Sequence, residues 1–219
     1  MTGGLVALLV TRSMPEVIGS DEITPQIWVQ LQRASVDRHH EWRTPVLASI
    51  GLDGTVQART VVLRRVDIEA KRLLFYTDRR SPKVLELKAN PAATLVFWSR
   101  RLSWQVRAQV NAQILDAGPL VDSAWASVVQ SPSAGDYLSS APPGAALHAT
   151  PDNSAAPAPP VAPETPAGLE GSQSPDLHSG THHLAVVCAD VLSIDWLELS
   201  RAGHRRALLT TGAPQWLVP

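Results

Sequence analysis

The sequence predicts a mainly β fold (α+β) in which short antiparallel strands close into a barrel that carries a few short helices. Three observations point there. Short β-branched runs recur at close spacing through residues 45–115, Asp53-Gly54 sets a tight hairpin turn between the first two, and a single small helix interrupts the series. Alternating β–α units would need a helix after every strand.

Residues 4–10 are an apolar run with no basic residue before it and too short to span a bilayer; residues 1–20 read as a flexible tail. From Thr24, TPQIWVQLQRASVDRHHEW offers a capping threonine, a first-turn proline and an apolar stripe of Ile27, Trp28, Leu31 and Val36, which is the pattern of an amphipathic helix. PVLASIGL (45–52) and VQARTVVLRRV (56–66) are strand runs on either side of the Asp53-Gly54 turn, and LLFYT (73–77) is the next strand. A short helix follows, with Ser81 as N-cap, Pro82 at its first position, Val84, Leu85 and Leu87 as its apolar face, and Asn90-Pro91 as its stop. TLVFWS (94–99) and WQVRAQVNAQIL (104–115) are further strands, and residues 119–130 form another helix.

Residues 141–181 contain nine prolines, no Phe, Trp or Tyr, and no Lys or Arg. Such a segment buries too little apolar area to offset its ordering entropy, so it reads as a flexible insertion. Strand patterns resume at HHLAVVCADVLSIDWLEL (182–199), HRRALLTT (204–211) and QWLVP (215–219). Residues 21–140 and 182–219 therefore build one barrel domain interrupted by the insertion.

The 219 residues are 44% hydrophobic and carry a formal net charge of −1 with a pI near 6.6, so no overall basic field points to nucleic acid or an acidic membrane. Cys188 is the only cysteine; it sits among apolar strand residues as an inert thiol, and its solitude fits a cytoplasmic protein without disulfides. His178, His182 and His183, and the pair His39-His40, lack the cysteine or carboxylate partners of a defined metal motif, so no metal site is assigned. G-x-S-x-G, P-loop and dinucleotide-fingerprint patterns are absent from the sequence.

Arg79, Arg80 and Lys83 crowd the start of the 82–89 helix. A helix N-terminus already carries about half a positive charge, so each added cation costs roughly 0.3–1 kcal/mol. Charge placement by itself leaves two readings open: solvated surface cations, or an anion site in which Ser81 and Lys83 are ligands. Arg59 and Arg64 add two cations nearby in sequence; in an unbulged strand their odd spacing sets them on opposite faces.

Five segments in register decide between these readings. RTVVLR (59–64), FYTDRRSPK (75–83), NPAATLVFW (90–98), WQVR (104–107) and Trp196-x7-His204-x-Arg206 together resemble the pyridoxamine 5′-phosphate oxidase-like family of FMN-binding split barrels, over about residues 42–115 and 184–219. The ending, Trp216 followed by Leu-Val-Pro, is similar too. The resemblance implies a split β-barrel and a homodimer with FMN at its interface. Arg59 and Lys83 match positions that hold the flavin phosphate, with Ser81 in the same turn and Arg64 as a further basic residue serving cofactor and substrate. Tyr76 and Thr77 match positions beside the flavin, Gln105 a residue that hydrogen-bonds it, Trp196 and Arg206 flavin contacts, and His204 a catalytic, substrate-side residue.

The chain departs from the family pattern on the substrate side. Arg64 replaces the usual lysine, DYLSSAPPGAAL (136–147) has no arginine where the family enzyme uses one, and Ala202 stands two residues before His204 where another arginine is expected. Losing charge-assisted bonds to a phosphate costs about 1.5–3 kcal/mol apiece. The expected function is thus an FMN-dependent oxidoreductase acting on a small organic substrate, with a degraded substrate-phosphate site. A non-catalytic flavin carrier or sensor and a haem-handling split-barrel relative are the alternatives. The insertion is compatible with an open flavin face, a mobile lid or a passive linker. Lys83→Ala or Arg59→Ala is expected to weaken FMN retention with the fold intact. Deleting residues 145–178 is expected to leave the melting temperature nearly unchanged, and a large drop on a thermal scan would show that the segment packs against the barrel.

Overall fold

The computed structural model describes residues 20–146 and 182–219. Most of the 1–20 tail and of the 141–181 insertion, His178 included, lies outside the described residues. The elements in order are α1 (Ser20–Val36), a 3-10 helix (Glu41–Arg43), β1 (Val46–Ile50), β2 (Val56–Thr60), β3 (Leu63–Asp67), β4 (Arg72–Asp78), α2 (Pro82–Ala89), β5 (Ala92–Ser99), β6 (Trp104–Leu115) and α3 (Pro119–Val128). A second 3-10 helix (Pro132–Tyr137) precedes β7 (Leu184–Glu198), β8 (Arg205–Leu209) and β9 (Gln215–Leu217). The chain is therefore the antiparallel split barrel with short helices that its strand pattern predicts.

Two boundaries differ from the sequence reading. The first helix begins at Ser20, so Pro25 lies inside it and Thr24 is not its cap. The run 56–66 is two strands, because Val61-Val62 leave the ladder between β2 and β3. Its residues pair with opposite edges of the sheet: β2 with β1, β3 with β4.

That break closes the barrel. The strand order is β2-β1-β5-β6-β7-β4-β3, so a flat sheet would separate β2 from β3 by six spacings of about 4.8 Å, roughly 29 Å. Three Cα steps from Thr60 to Leu63 span at most about 11 Å. The sheet must curl to bring its two edges towards each other, while the Val61 N–H, bonded to the Pro45 carbonyl at 3.0 Å, carries the β1–β2 ladder one step further before the chain crosses to β3. β7 is long enough to serve two partners on one edge, with β4 along Leu184–Asp190 and β8 along Ile194–Glu198.

Inward side chains alternate along β5 and β6 and fill the barrel: Leu95 and Phe97 meet Val106 and Ala108 from the neighbouring strand, and Ile27 and Leu31 of α1 join the same cluster. β7 begins with an unbroken apolar run because both of its faces are covered. Val187 and Ala189 enter the barrel core, while Leu184, Val186 and Cys188 pack with Val121, Ala124 and Val128 of α3 and with Tyr137. Cys188 is buried, and burial pushes its thiol pKa up. Among the described residues no helix is long and apolar enough to cross a membrane.

Candidate functional site

The turn from β4 into α2 gathers most of the candidate cations, and the fold supplies carboxylates that the helix pattern hid. Asp78, its side chain 4% exposed, pairs with Arg80 at 2.7 Å and accepts the Arg80 backbone N–H at 2.7 Å. Arg80 also donates to the carbonyls of Ser139 (2.8 Å) and Ser140 (3.0 Å), fastening the chain beyond Tyr137 to this turn. Arg59 reaches over from β2 to Glu86 at 2.6 Å, and the Ser49 hydroxyl donates to the same carboxylate oxygen at 2.7 Å. The Glu86 side chain is 8% exposed.

Glu86 is buried where Leu85 was expected; Leu85 is exposed. Both flank the Val84/Leu87 stripe by about 100° of helix rotation, so periodicity alone gives them equal standing. The Arg59 cation decides it. Asp78 and Glu86 thus neutralise Arg80 and Arg59, and Arg79 is exposed to solvent.

Lys83 is left. Its ammonium is partly buried and donates only to hydroxyls, Ser81 Oγ at 2.7 Å and Thr77 Oγ1 at 3.1 Å; among the described residues it makes no ion pair. Burial first, then the neighbouring Arg59 charge, holds it below the ordinary lysine range. Ser81 takes the backbone geometry of an N-cap but makes no side-chain capping bond, its hydroxyl facing Lys83 instead. Pro82 has no N–H, and the Ser81 and Val84 N–H groups are taken by the Asp78 (3.0 Å) and Ser81 (2.9 Å) carbonyls. A partly buried cation and two hydroxyls, rather than a row of open N–H groups, therefore form the cradle suited to a phosphate.

Arg64 occupies a bulge between Leu63 and Arg65, so the opposite-face rule for an unbulged strand does not apply to it. Its guanidinium lies 5.6 Å from the Tyr76 ring centroid and against the Tyr137 hydroxyl, whose pKa burial raises. Tyr76 and Thr77, adjacent on β4, point to opposite faces: Thr77 to Lys83, Tyr76 to Arg64.

Gln105, Trp196, His204 and Arg206 form a second group elsewhere. Gln105 pairs across the ladder with Leu197, and Leu197 with Arg206. Thr77 pairs with Ala185, twelve residues earlier on β7, or about 40 Å of strand contour away. Among the described residues no hydrogen bond or ion pair joins the two groups. Arg206 grips Asp195 through two bonds of 3.0 and 2.7 Å, and Arg107 pairs with the same carboxylate. The Arg206 bond, ahead of Arg107, holds the Asp195 carboxyl below its usual range. Trp196 is fully buried, edge-on to Trp104 at 5.3 Å, with no partner for its Nε1 among the described residues. His204 is exposed in the turn before β8, its Nδ1 accepting the Ser200 N–H at 3.1 Å. Glu86, Asp78 and Asp195 were missed by sequence reasoning; each partners an arginine on a different element or across a turn, which leaves no local signature.

Comparison with known proteins bears on the family and the fold. The sequence profile of the pyridoxamine 5′-phosphate oxidase family matches residues 32–154, more than half of the chain. A pyridoxine/pyridoxamine 5′-phosphate oxidase of Thermosynechococcus vestitus is 45% identical over 71 residues, 32% of this chain and 33% of that protein. One from Myxococcus xanthus is 41% identical over 64 residues, 29% of this chain and 30% of that protein. The chain thus spans about a third of the length of these curated relatives in alignment. A pyridoxamine 5′-phosphate oxidase-related, FMN-binding protein of Nostoc punctiforme shares the fold with a TM-score of 0.62 at 17% identity, covering 90% of this chain and 96% of that one. PhzG of Burkholderia lata, solved with tetrahydrophenazine-1-carboxylic acid, does so with a TM-score of 0.59 at 16% identity, covering 94% and 95%.

The Arg59–Glu86 pair changes what a substitution at Arg59 reports. Arg59→Ala strands a buried carboxylate and is expected to destabilise the protein by about 3–5 kcal/mol, so the fold does not stay indifferent to it. Glu86→Gln in the same chain is expected to restore most of that loss in urea denaturation. Equal instability of the single and double variants would show that the pair is not what Arg59 contributes.

Proposed function

The chain belongs to the pyridoxamine 5′-phosphate oxidase family, and from that premise we propose that it is an FMN-dependent oxidoreductase acting on a small organic substrate. The observation that carries the reading is Lys83, a partly buried ammonium facing Ser81 and Thr77 at a helix start with no carboxylate partner among the described residues. A phosphate there would offset the burial penalty on Lys83 and accept from the Ser81 and Thr77 hydroxyls. In this reading Lys83, Ser81 and Thr77 hold the FMN phosphate, and Arg59 contributes while shared with Glu86. Bound FMN would supply two-electron transfer between a donor and an acceptor.

The second group belongs to the same site only across two copies of the chain. With Gln105, Arg206 and His204 about 40 Å of strand contour from Thr77, a two-fold dimer would bring the phosphate group of one protomer against the ring-contacting group of its partner. Trp196, fully buried, packs behind that face rather than touching the ring. Leu52, Val56 and Leu85 support such an interface: 69%, 73% and 56% exposed, they crowd the hairpin and α2 beside the phosphate group. Asp195 then holds Arg206 at a fixed height above the sheet, Gln105 orients the ring, and His204 faces the substrate with Nε2 carrying the proton.

The substrate side favours something other than a phosphate ester. Arg64 is already engaged with Tyr76 and Tyr137, and neither Ala202 nor the stretch from Asp136 to Gly144 supplies the arginine expected of it. A donor bearing one negative charge or none fits these groups better than pyridoxine phosphate, and PhzG was solved with a carboxylic acid that bears no phosphate.

FMN titration tests the reading. The purified protein is expected to show a flavin absorption band that bleaches with reductant and returns in air, and Lys83→Ala to weaken FMN binding by about 10- to 100-fold. Mixing Lys83→Ala with Arg206→Ala, each retaining little FMN alone, is expected to restore about a quarter of the sites, since half of the dimers are mixed and each has one intact pocket. A colourless protein indifferent to FMN defeats the proposal; a Soret band in place of the flavin band redirects it to haem.

A further inference from the structure

We propose that the cavity between the end of α1 and the β5–β6 turn is a second binding site, taking a small multivalent organic anion through Arg33 and Arg101. The cavity has a volume of about 510 Å3 and is lined by Gln30, Arg33, Asp37, His40, Glu41 and Arg101 among others. That is the range of small-molecule sites. None of its lining residues belongs to either half of the proposed flavin site.

The walls are held by groups other than the two arginines. The Glu41 carboxylate accepts the backbone N–H groups of Arg100 (3.1 Å) and Arg101 (3.3 Å) and the Ser99 hydroxyl, pinning the β5–β6 turn to the first 3-10 helix. Arg43 donates to the Ala34 and Ser35 carbonyls, which caps α1. His40 accepts the Trp42 N–H on Nδ1 at 3.1 Å, so its proton sits on Nε2 and faces Gln30 Oε1, also at 3.1 Å. Burial, then the nearby Arg101 charge, holds the His40 ring below the usual histidine range, and it stays neutral at pH 7.

The lining carries the carboxylates of Asp37 and Glu41 as well as Arg33 and Arg101, so what the cavity takes is decided by which groups stay open rather than by net charge. Glu41 is turned to the Ser99, Arg100 and Arg101 donors of the turn, and Asp37 accepts the His39 N–H at 2.9 Å. Among the described residues neither Arg33 nor Arg101 makes an ion pair. Two guanidinium forks on a preformed wall suit carboxylate or phosphate groups on one ligand. The same forks repel a metal ion, and both His40 nitrogens already have partners. A volume this size holds a compact metabolite-sized anion rather than a nucleic-acid strand.

Citrate, titrated into the full-length protein at constant ionic strength, is the probe. Calorimetry is expected to show saturable binding, weakened about tenfold or more by Arg33→Ala or Arg101→Ala, while both variants leave the FMN titration unchanged. Both arginines are exposed, and unaltered melting temperatures in the variants check that the wall survives. Absence of saturable citrate binding, or binding retained in the Arg33→Ala/Arg101→Ala double variant, would each overturn the assignment. Because FMN binding is read separately through its absorption, failure here leaves the flavin reading standing, and failure of the flavin reading leaves this one.

Discussion

The two-residue link Val61-Val62 is the constraint on which the rest of the structure depends. It joins strands at opposite edges of the sheet order, and a chain that short cannot bridge a flat sheet. The sheet is compelled to curl, which gives the interior that Leu95, Phe97 and Val106 fill. The same curl carries β2 around to α2, so that Arg59 meets Glu86 from 27 residues away in sequence.

Charge at the β4–α2 turn then follows a simple logic. Cations at a helix start are unfavourable unless something negative answers them, and the fold answers all but one in the buried layer. Asp78 and Glu86 are internal counter-ions that give Arg80 and Arg59 a structural part. Lys83, given only hydroxyls, is the place where the structure departs from its own electrostatic optimum. Departures of that kind mark sites that wait for a ligand.

Distance along β7 sets the candidate positions in two separate groups. A strand of fifteen residues lies between them, and the proposed two-fold dimer is the least costly way to bring them to one pocket. The proposed anion cavity lies apart from both groups, walled by Glu41 and the β5–β6 turn, and its guanidinium groups, without an ion pair among the described residues, contrast with Arg107 and Arg206, both held by Asp195.

Much of the barrel was legible in the sequence because its signals are local. Asp53-Gly54 names its own turn, and Gly54 adopts φ +81° there; period-two burial along β5 and β6 and the Ser81-Pro82 helix start needed no partner to be read. The two-strand split at Val61-Val62 was not, since β-branched residues favour continuation and only pairing with opposite edges breaks the run. Register among segments gave Lys83, Ser81 and Arg59 as neighbours. Tertiary structure alone decided which cations keep their charge unanswered, because Glu86 and Leu85 look alike to a helical period and differ only once Arg59 arrives from another strand.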